Sequence, residues 1–411
     1  MTPLPKPVFL DRTTPPHVLT LVLLAGLSAL SMNVFLPSLP NMTAYFQTDY
    51  ALMQLSVSAY LGLTGFLQVL IGPLSDRYGR RPVILISLVL FVLASIGCLF
   101  AHSIEVFLVF RMAQASIATG MVLSRAIVRD IVPANEAASM IGYVTMGMSV
   151  VPMIAPAIGG YLDEAFGWHA NFAVLLAMAL VVGALIFFDL GETNMNRSAS
   201  MTAQIRDYPE LVGSRRFWGY VLTATFTSGS FFAFLGGAPF VGTTVFELPS
   251  SELGIYFGIV SIGYLVGNFI SGRYSGRAGI NWMMMVGAWF TLIGLATAVA
   301  TMLAGATHPL AFFGFMVTVG IGNGMVLPNA NAGMVSVRPH LAGSASGLGG
   351  AIMLAGGASL AALAGAILQI GHGAYPLLLL MVTTSVLALL SVAYVIRVER
   401  LAGPLDPQDL A

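Results

Sequence analysis

The sequence predicts an all-α membrane protein of twelve transmembrane helices, arranged as two pseudo-symmetric six-helix bundles. Three observations support this fold class: the composition, the length of the apolar runs and the placement of the cations. Of the 411 residues, 57% are hydrophobic and only 8% are charged, whereas soluble domains carry about 25% charged residues. So few charges cannot hydrate the surface of a chain this long, and lipid must therefore be its main solvent.

Twelve apolar runs give the helix count, because about 20 apolar residues cross the roughly 30 Å of hydrocarbon in a bilayer. Continuous runs, rather than alternation, are typical of helices, and lipid requires the backbone to satisfy its own hydrogen bonds. The runs lie at 17–37, 51–72, 82–101, 104–128, 137–161, 169–189, 217–246, 253–272, 281–304, 309–335, 342–370 and 374–396.

A polar stretch separates these runs into two sets of six. We therefore predict an N-terminal six-helix bundle over residues 1–190, a central cytoplasmic loop over 191–216 and a C-terminal six-helix bundle over 217–411. An internal repeat indicates duplication of a six-helix unit. Gly-Met-Val-Leu at 120–123 recurs at 324–327, and Arg-Tyr at 77–78 recurs at 273–274. Parallel repeats of transporters place the substrate site at their interface.

The Lys and Arg residues predict the orientation. With the N-terminus in the cytoplasm, every Lys and Arg outside helix 4 falls on the cytoplasmic side, and the outer loops carry acidic residues only. This distribution follows the positive-inside rule and places both termini in the cytoplasm. The two cations inside helix 4 are Arg111 and Arg125.

Other simple classes are excluded by the composition. The net charge is zero, which gives no electrostatic footprint for nucleic acid. The single cysteine, Cys98, lies in an apolar run and can form neither an intramolecular disulfide nor a cysteine metal cluster. We expect it to be a small buried filler. The first 16 residues lack the pattern of a cleaved signal peptide.

The turn between helices 2 and 3, residues 72–82, carries the strongest motif. Gly79 permits a tight turn, and Asp76 can pair with an Arg or with the positive end of a neighbouring helix. Such a pair can hold two halves together in one conformation and release them in another; the alternative is a basic turn that only follows the topology rule. The pattern resembles the signature loop of the major facilitator superfamily. The predicted conformational latch comprises Gly72, Asp76, Arg77, Gly79, Arg80 and Arg81.

The end of helix 5 resembles the Gly-Pro-x-x-Gly-Gly end of the superfamily's antiporter motif. The matching residues are Gly142, Pro156, Gly159 and Gly160, whereas Val151 and Ala155 depart from it. Small residues allow close helix contact, and proline frees a backbone carbonyl and bends the helix. Plain helix packing is the alternative interpretation.

Two further segments resemble the Bcr/CflA branch of drug:proton antiporters. They are Leu-Pro-Ser-Leu-Pro at 36–40, which we expect to end helix 1, and the run at 338–346 after helix 10. The resemblance covers nearly the whole chain. It implies a monomeric carrier in the bacterial inner membrane that exports phenicol, bicyclomycin or sulfonamide-type antibiotics. It also implies a proton gradient as the energy source, with no bound cofactor and no metal.

One residue departs from the pattern of this branch, at the position that usually carries the proton. The branch usually has Asp in helix 1, four residues before the first proline of the 36–40 run, and this chain has Asn33. Asn has the shape of a protonated Asp but does not titrate, and no predicted span has an acidic residue or a histidine in its interior. Asn33 is either a natural variant that couples differently or not at all, or an engineered substitution that traps a protonated-like state.

Helix 4 carries Arg111 and Gln114, which resemble the superfamily's Arg-x-x-Gln segment. An arginine inside the membrane is costly and is a functional candidate by default. Arg111 and Asn33 lie at similar predicted depth, and we expect them to meet. Arg125, roughly 21 Å further along the helix, is expected to snorkel toward the cytoplasm.

Aromatic, methionine and amide side chains near mid-span are the candidates for a pocket that accepts varied amphiphilic drugs. For each of them, lipid contact, packing or an interhelical hydrogen bond is the alternative. The absence of a central carboxylate favours neutral or weakly anionic drugs over dications. These candidates are Asn33, Tyr60, Gln68, Met146, Met153, Phe231, Phe234, Tyr264, Asn268 and Asn329.

Three rival functions remain open. A sugar or metabolite uptake carrier would have a pocket rich in Gln, Asn and Trp, with few methionines. A membrane-embedded enzyme would need a mid-span metal set, a Ser/Lys site or paired Asp residues. A non-transporting receptor would usually carry an added soluble domain, and the longest polar stretch here is the central loop.

Overall fold

The computed structural model describes residues 8–132, 134–194, 209–338, 341–370 and 373–402. Within these ranges the chain folds into twelve long helices and no strand. They are α1 (Val18–Tyr45), α2 (Tyr50–Tyr78), α3 (Arg80–Leu99), α4 (Ile104–Ile131), α5 (Ala134–Phe166), α6 (His169–Asp189), α7 (Arg215–Val245), α8 (Ser250–Ala278), α9 (Ile280–Leu303), α10 (Leu310–Ser336), α11 (Ala342–Ile370) and α12 (Tyr375–Ala402).

The predicted all-α fold with about twelve membrane-length helices is confirmed. Eleven of the helices are long and apolar enough to cross a membrane. The twelfth, α5, is 33 residues long, and a part of its side chains lies outside the described residues. Helices α2 and α8 run several residues past their predicted ends, because each continues to the left-handed glycine that turns the chain, Gly79 (φ 99°) or Gly279 (φ 86°).

The positions of these two turns show that one of the predicted repeat matches does not join equivalent residues. Helices α2 and α8 are each 29 residues long and end at equivalent glycines, so Arg77 corresponds to Arg277. The Arg-Tyr match between 77–78 and 273–274 is therefore not between equivalent positions. The Gly-Met-Val-Leu match does lie at equivalent places, in α4 and α10.

Helix α1 is not ended by the Leu-Pro-Ser-Leu-Pro run, and that expectation was wrong. The chain passes from a helix (Val18–Asn33) through a 3-10 turn (Leu36–Ser38) into a further helix (Leu39–Tyr45). Each proline occupies one of the first two positions of its segment, where a missing N–H breaks no hydrogen bond. The run thus bends the span without stopping it.

Helix α5 likewise continues past its predicted end. Pro152 and Pro156 lie inside it, and it ends before Gly167 (φ 81°). Asp163, predicted in an outer loop, therefore lies in the last turns of α5, and it is buried.

We call the end of the molecule with the Gly79 and Gly279 turns the basic end, and the end with Asn41, Asp163 and Ser250 the acidic end. One apolar core runs through both bundles, and a second lies in the C-terminal bundle at its basic end. The pairs α2–α11 and α5–α8 supply most of the packing between the bundles. Parallel repeats of transporters hold their substrate site at the repeat interface, so we expect the substrate path to lie between these two seams.

Candidate functional site

Arg111 is the largest fully buried side chain among the described residues. Its guanidinium donates to the carbonyl oxygens of Ser56 (3.1 Å) and Ser31 (2.9 Å). It also donates to the Gln114 Oε1 atom at 2.7 Å. Arg111 thereby ties α4 to both α1 and α2.

Two aromatic rings complete the surroundings of Arg111. Its guanidinium carbon lies 3.8 Å from the ring centroid of Tyr60 and 4.4 Å from that of Phe35. The faces of such rings attract a cation, and more strongly so away from water. Among the described residues no carboxylate pairs with Arg111, so carbonyl dipoles and ring faces stabilise this charge.

A 3-10 turn in α4 positions these groups. Helix Ile104–Ala113 gives way to the turn Gln114–Ile117 before the helix resumes. Gln114 accepts from Arg111 and donates to the Ser95 hydroxyl of α3 at 2.9 Å. One amide thus joins α3 to the arginine on α4.

Among the described residues no hydrogen bond joins Asn33 to Arg111, so the expected pairing is not made through such a bond. Asn33 is buried, and its amide donates to the Ala29 carbonyl of its own helix at 2.7 Å. The α1 partner of Arg111 is Ser31 instead. Ser31, Ser56, Ser95 and Phe35 were missed by sequence reasoning, because nothing in their spacing separates them from other small or apolar residues of a membrane helix.

Arg125 lies on α4 toward the basic end. Its side chain is half-buried, and its Nε atom is buried without a hydrogen-bond partner. The expected snorkelling of Arg125 toward the cytoplasm stays a prediction.

The remaining pocket candidates divide by position. Four of them are half-buried, as expected for side chains beside a substrate path: Gln68, Phe231, Tyr264 and Asn268. Phe234 is not free to line a path, since it lies fully buried in an aromatic cluster with Phe257, Phe312 and Phe313.

Asn329 is buried and donates to the Ser271 hydroxyl at 2.8 Å, which joins α10 to α8. The side chains of Met146 and Met153, together with Gly142, lie outside the residues that the structure describes in detail.

The predicted latch residues bond within the first bundle. Arg80 pairs with Asp76 at 2.7 Å and with Asp130 of α4 at 3.1 Å. Arg80 also hydrogen-bonds the Ser75 hydroxyl. The guanidinium of Arg77 lies 5.3 Å from the Tyr78 ring centroid, and Gly72 faces open space.

Glu192, which follows α6, binds the turn at Gly79 between α2 and α3. Its carboxylate accepts from the backbone N–H groups of Arg80 (2.9 Å) and Arg81 (3.3 Å), which are unpaired because they start α3. The carboxylate occupies the space where a Cβ at Gly79 would lie. A glycine is thus required here by both its φ angle and this contact. The Arg81 guanidinium donates to the Phe187 carbonyl at 3.1 Å.

At the acidic end, polar contacts join the two bundles. Asn41 of α1 donates to the Asp163 carboxylate at 2.6 Å and contacts the Ser250 hydroxyl of α8 at 3.3 Å. Tyr50 of α2 donates to the Gly236 carbonyl of α7 at 2.8 Å.

The two glycines of the antiporter-like segment lie at this end. A Cβ at Gly160 would collide with the Ser250 carbonyl, and one at Gly159 would collide with the Val34 carbonyl. Pro156 is buried nearby, with its carbonyl against Gly254 of α8. The segment therefore brings α5 into backbone contact with both α1 and α8.

The family model of the Major Facilitator Superfamily matches residues 21–362 and, in a second alignment, 243–410. The chain belongs to the major facilitator superfamily. This is a superfamily of transporters.

Relatives place this major facilitator chain in the Bcr/CflA branch. An uncharacterized MFS-type transporter, YdgK, of Bacillus subtilis is 33% identical over 84% of this chain and 87% of its own length. A bicyclomycin resistance protein homolog of Haemophilus influenzae is 26% identical over 86% and 89%. A chloramphenicol resistance protein of Pseudomonas aeruginosa is 31% identical over 80% and 79%.

Solved structures show the same fold at low identity. A bacterial homolog of the human lysosomal transporter Spinster, inward-facing and unoccupied, gives a TM-score of 0.74 at 18% identity, over 95% of this chain and 98% of that one. A D-xylose-proton symporter gives 0.75 at 15% identity, over 92% and 96%.

Proposed function

We propose that this major facilitator protein exports small amphiphilic antibiotics from the bacterial cytoplasm by alternating access. One comparison carries the proposal: polar contacts join the bundles at the acidic end, whereas Arg80 at the basic end pairs with Asp76 and Asp130 of its own bundle. Rocking of the bundles about the α2–α11 and α5–α8 seams would exchange the closed end for the open one.

The orientation follows from the arginines. The positive-inside rule assigns the basic end to the cytoplasm, with both termini on that side. The state described here then receives its substrate from the cytoplasm. In this state Asp76 and Arg80 are paired within the first bundle, which is the released condition of the latch.

The substrate class is supported by the relatives and by the path. Relatives are named for resistance to bicyclomycin and chloramphenicol. Among the described residues, no carboxylate lies in the interior of a helix that borders the path, so a dicationic drug would find no counter-ion there. Neutral or weakly anionic compounds of phenicol, bicyclomycin or sulfonamide type fit best, carried by a monomer surrounded by lipid.

Proton antiport is the proposed energy source, and it must use a group other than residue 33. The amide of Asn33 cannot release a proton, and its donation to Ala29 holds it as a protonated acid would be held. Asn33→Asp places a titratable group at that position. We expect this variant to gain export that responds to the proton gradient.

The test is drug accumulation in bacteria that lack their own exporters. Cells producing this chain should retain less labelled chloramphenicol, bicyclomycin or sulfonamide than cells with an empty vector. Asn33→Asp should make export more sensitive to an uncoupler, and Asn33→Gln, which keeps the amide, is the matched control. Unreduced accumulation of all three drug types would refute drug export, and raised accumulation would indicate uptake. An unchanged gradient response of Asn33→Asp would count against the role of residue 33.

A further inference from the structure

An exposed apolar segment precedes α1 at the basic end. Val8, Phe9 and Leu10 lie outside any helix, and each leaves about half of its surface exposed. Leu10 has a φ of 63°, a left-handed conformation that leucine rarely adopts. Because such a conformation persists only where its surroundings fix it, the exposure of these side chains results from a specific turn of the chain.

Asp189, the last residue of α6, fixes this turn. Its carboxylate accepts from the backbone N–H groups of Leu10 (2.7 Å) and His17 (2.9 Å) and from the Thr20 hydroxyl (2.6 Å). Asp189 has no exposed surface, so these three donors compensate a buried carboxylate. The segment before α1 is therefore held against the end of α6 by its backbone, which leaves its apolar side chains outside.

The end of α6 continues the apolar surface. Phe187 and Phe188 come directly before Asp189 and are exposed as well. Such a cluster of apolar side chains is unfavourable in water, whereas at the boundary between headgroups and hydrocarbon it is buried against lipid. We call these five exposed residues the apolar patch: Val8, Phe9, Leu10, Phe187 and Phe188.

Two arginines border the apolar patch. The Arg81 guanidinium donates to the Phe187 carbonyl at 3.1 Å, and its central carbon lies 5.5 Å from the centroid of the Phe187 ring. Arg12 is exposed, and its carbonyl lies against Gly191. Glu192 follows in the chain and binds the backbone N–H of Arg81, so residues 191–192 bring the two arginines to one place.

The acidic groups beside these arginines are bonded elsewhere. Glu192 accepts from backbone N–H groups at the start of α3, and Asp11 accepts from the backbone and the hydroxyl of Thr13. Among the described residues, neither Arg12 nor Arg81 forms an ion pair, and the Arg81 guanidinium donates only to the Phe187 carbonyl. Donor groups therefore remain for an acceptor from outside the chain.

The repeat gives a matched comparison. Because Gly79 and Gly279 are equivalent, the counterpart of Arg81 is Asn281. Asn281 donates to Glu399 of α12 and so joins α9 to the last helix of its own bundle. The second bundle thus has an internal hydrogen bond where the first has a cation beside an apolar surface.

We propose that Arg12, Arg81 and the apolar patch bind one phospholipid of the cytoplasmic leaflet. The positive-inside rule assigns the basic end to that leaflet, and basic sites at the cytoplasmic ends of membrane helices bind lipid headgroups. A guanidinium donates to a phosphate through two parallel hydrogen bonds. The lipid phosphate lies on the two arginines, and an acyl chain lies along Phe187 and Phe188. This site does not depend on which substrate the protein transports.

The test uses purified full-length protein in detergent and two lipids with the same acyl chains. Dioleoylphosphatidylglycerol carries a phosphate, and dioleoylglycerol does not. Each is titrated, and bound lipid is measured by native mass spectrometry. We expect the phospholipid to bind more tightly and to raise the melting temperature of the protein. Arg12→Gln and Arg81→Gln should each weaken its binding about fivefold and leave dioleoylglycerol binding unchanged.

Three further variants separate the site from general effects. Arg400→Gln removes an exposed cation of the second bundle, and as the matched control it should bind both lipids as the wild type does. Arg81→Lys keeps the charge without the planar fork and should retain part of the affinity. Phe9→Ser removes an apolar contact and should weaken the binding of both lipids. Because Arg12 is exposed, Arg12→Gln should melt like the wild type without lipid, which shows that it is folded.

Three results would overturn the phospholipid site. Equal loss of affinity in Arg12→Gln, Arg81→Gln and Arg400→Gln would reveal only a general charge effect. Equal binding of the two lipids by the wild type would reveal only apolar adsorption. Displacement of the phospholipid by inorganic phosphate, with the same rise in melting temperature, would assign the arginines to a free anion. Each of these results would leave the proposed drug export standing.

Discussion

The two ends of the molecule use polar groups in opposite ways. At the acidic end, Asn41 and Tyr50 bond across the bundle boundary, and Gly160 lets α5 touch the start of α8. At the basic end, Arg80 bonds inside the first bundle and Glu192 of the central loop binds its backbone, while Arg338 pairs at 2.7 Å with Glu210, which precedes α7. The difference indicates that polar contacts at the acidic end hold the two bundles together, whereas those at the basic end stabilise each bundle by itself when the acidic end opens.

Gly160→Val should have the largest effect on this asymmetry. A side chain there collides with the Ser250 carbonyl, and overpacking of this kind costs about 1–3 kcal/mol, so the acidic end should no longer close. We expect export to fall by about tenfold or more, measured as drug accumulation in cells. Gly183→Val, on α6 where a Cβ meets open space, is the control and should export normally. Equal activity of both variants would show that the acidic end need not close tightly.

Arg111→Lys should rank next. Lysine keeps the charge but loses the planar fork and the ring stacking, so the Ser31 and Ser56 carbonyls and Gln114 lose partners. Each unsatisfied buried group costs about 1–3 kcal/mol. We expect a lower melting temperature of the purified protein and weaker export. A variant with wild-type stability would mean that the first bundle does not depend on this network.

Gly79→Ala and Gly279→Ala form a matched pair from the repeat. Both place alanine at a backbone conformation that is essentially restricted to glycine (φ 99°, ψ 153° and φ 86°, ψ 149°), at a cost of about 1–3 kcal/mol. Only Gly79 faces the Glu192 carboxylate, whereas Gly279 faces open space. Gly79→Ala should therefore lower the melting temperature more. Equal shifts of the melting temperature in the two variants would show that the Glu192 carboxylate moves aside at no cost and does not fix the turn at Gly79.

Asn41→Ala should have the smallest effect. It removes two hydrogen bonds at the acidic end, which contribute about 0.5–1.5 kcal/mol each. The bundles should separate there more often, without loss of the fold. Faster labelling of a cysteine introduced at Ser251, relative to the same cysteine with Asn41 intact, measures this. An unchanged labelling rate would show that Asn41 does not help to hold the bundles together at the acidic end.

The sequence is informative where a residue type is rare in its setting. Arg111, Gln114 and the 72–82 turn stand out because charges are scarce in this chain and costly in lipid, and the structure places them in dense polar networks. The partners of Arg111 could not be found in this way. Serine hydroxyls and backbone carbonyls occur on every helix, and which of them face α4 depends on tertiary packing.

Helix ends were the other weak point. Prolines at 37, 40 and 156 predict interruptions, yet they lie where the helix tolerates a missing N–H or a bend. As a result Asp163 was placed in a loop, and its burial beside Asn41 was missed. Contacts between the bundles, such as that of Gly160 with Ser250, join residues far apart in the chain and leave no local pattern.

The most direct test of the account is a pair of distances measured by spin labels on the purified protein, with Cys98 replaced by serine. One pair, at Thr43 and Glu252, spans the acidic end, and the other, at Arg77 and Arg277, spans the basic end. We expect a short, narrow distribution of distances at the acidic end and a longer mean distance at the basic end. The two distances should change in opposite directions when a transported drug is added. Distances that lengthen or shorten together at both ends would contradict alternating access between these bundles.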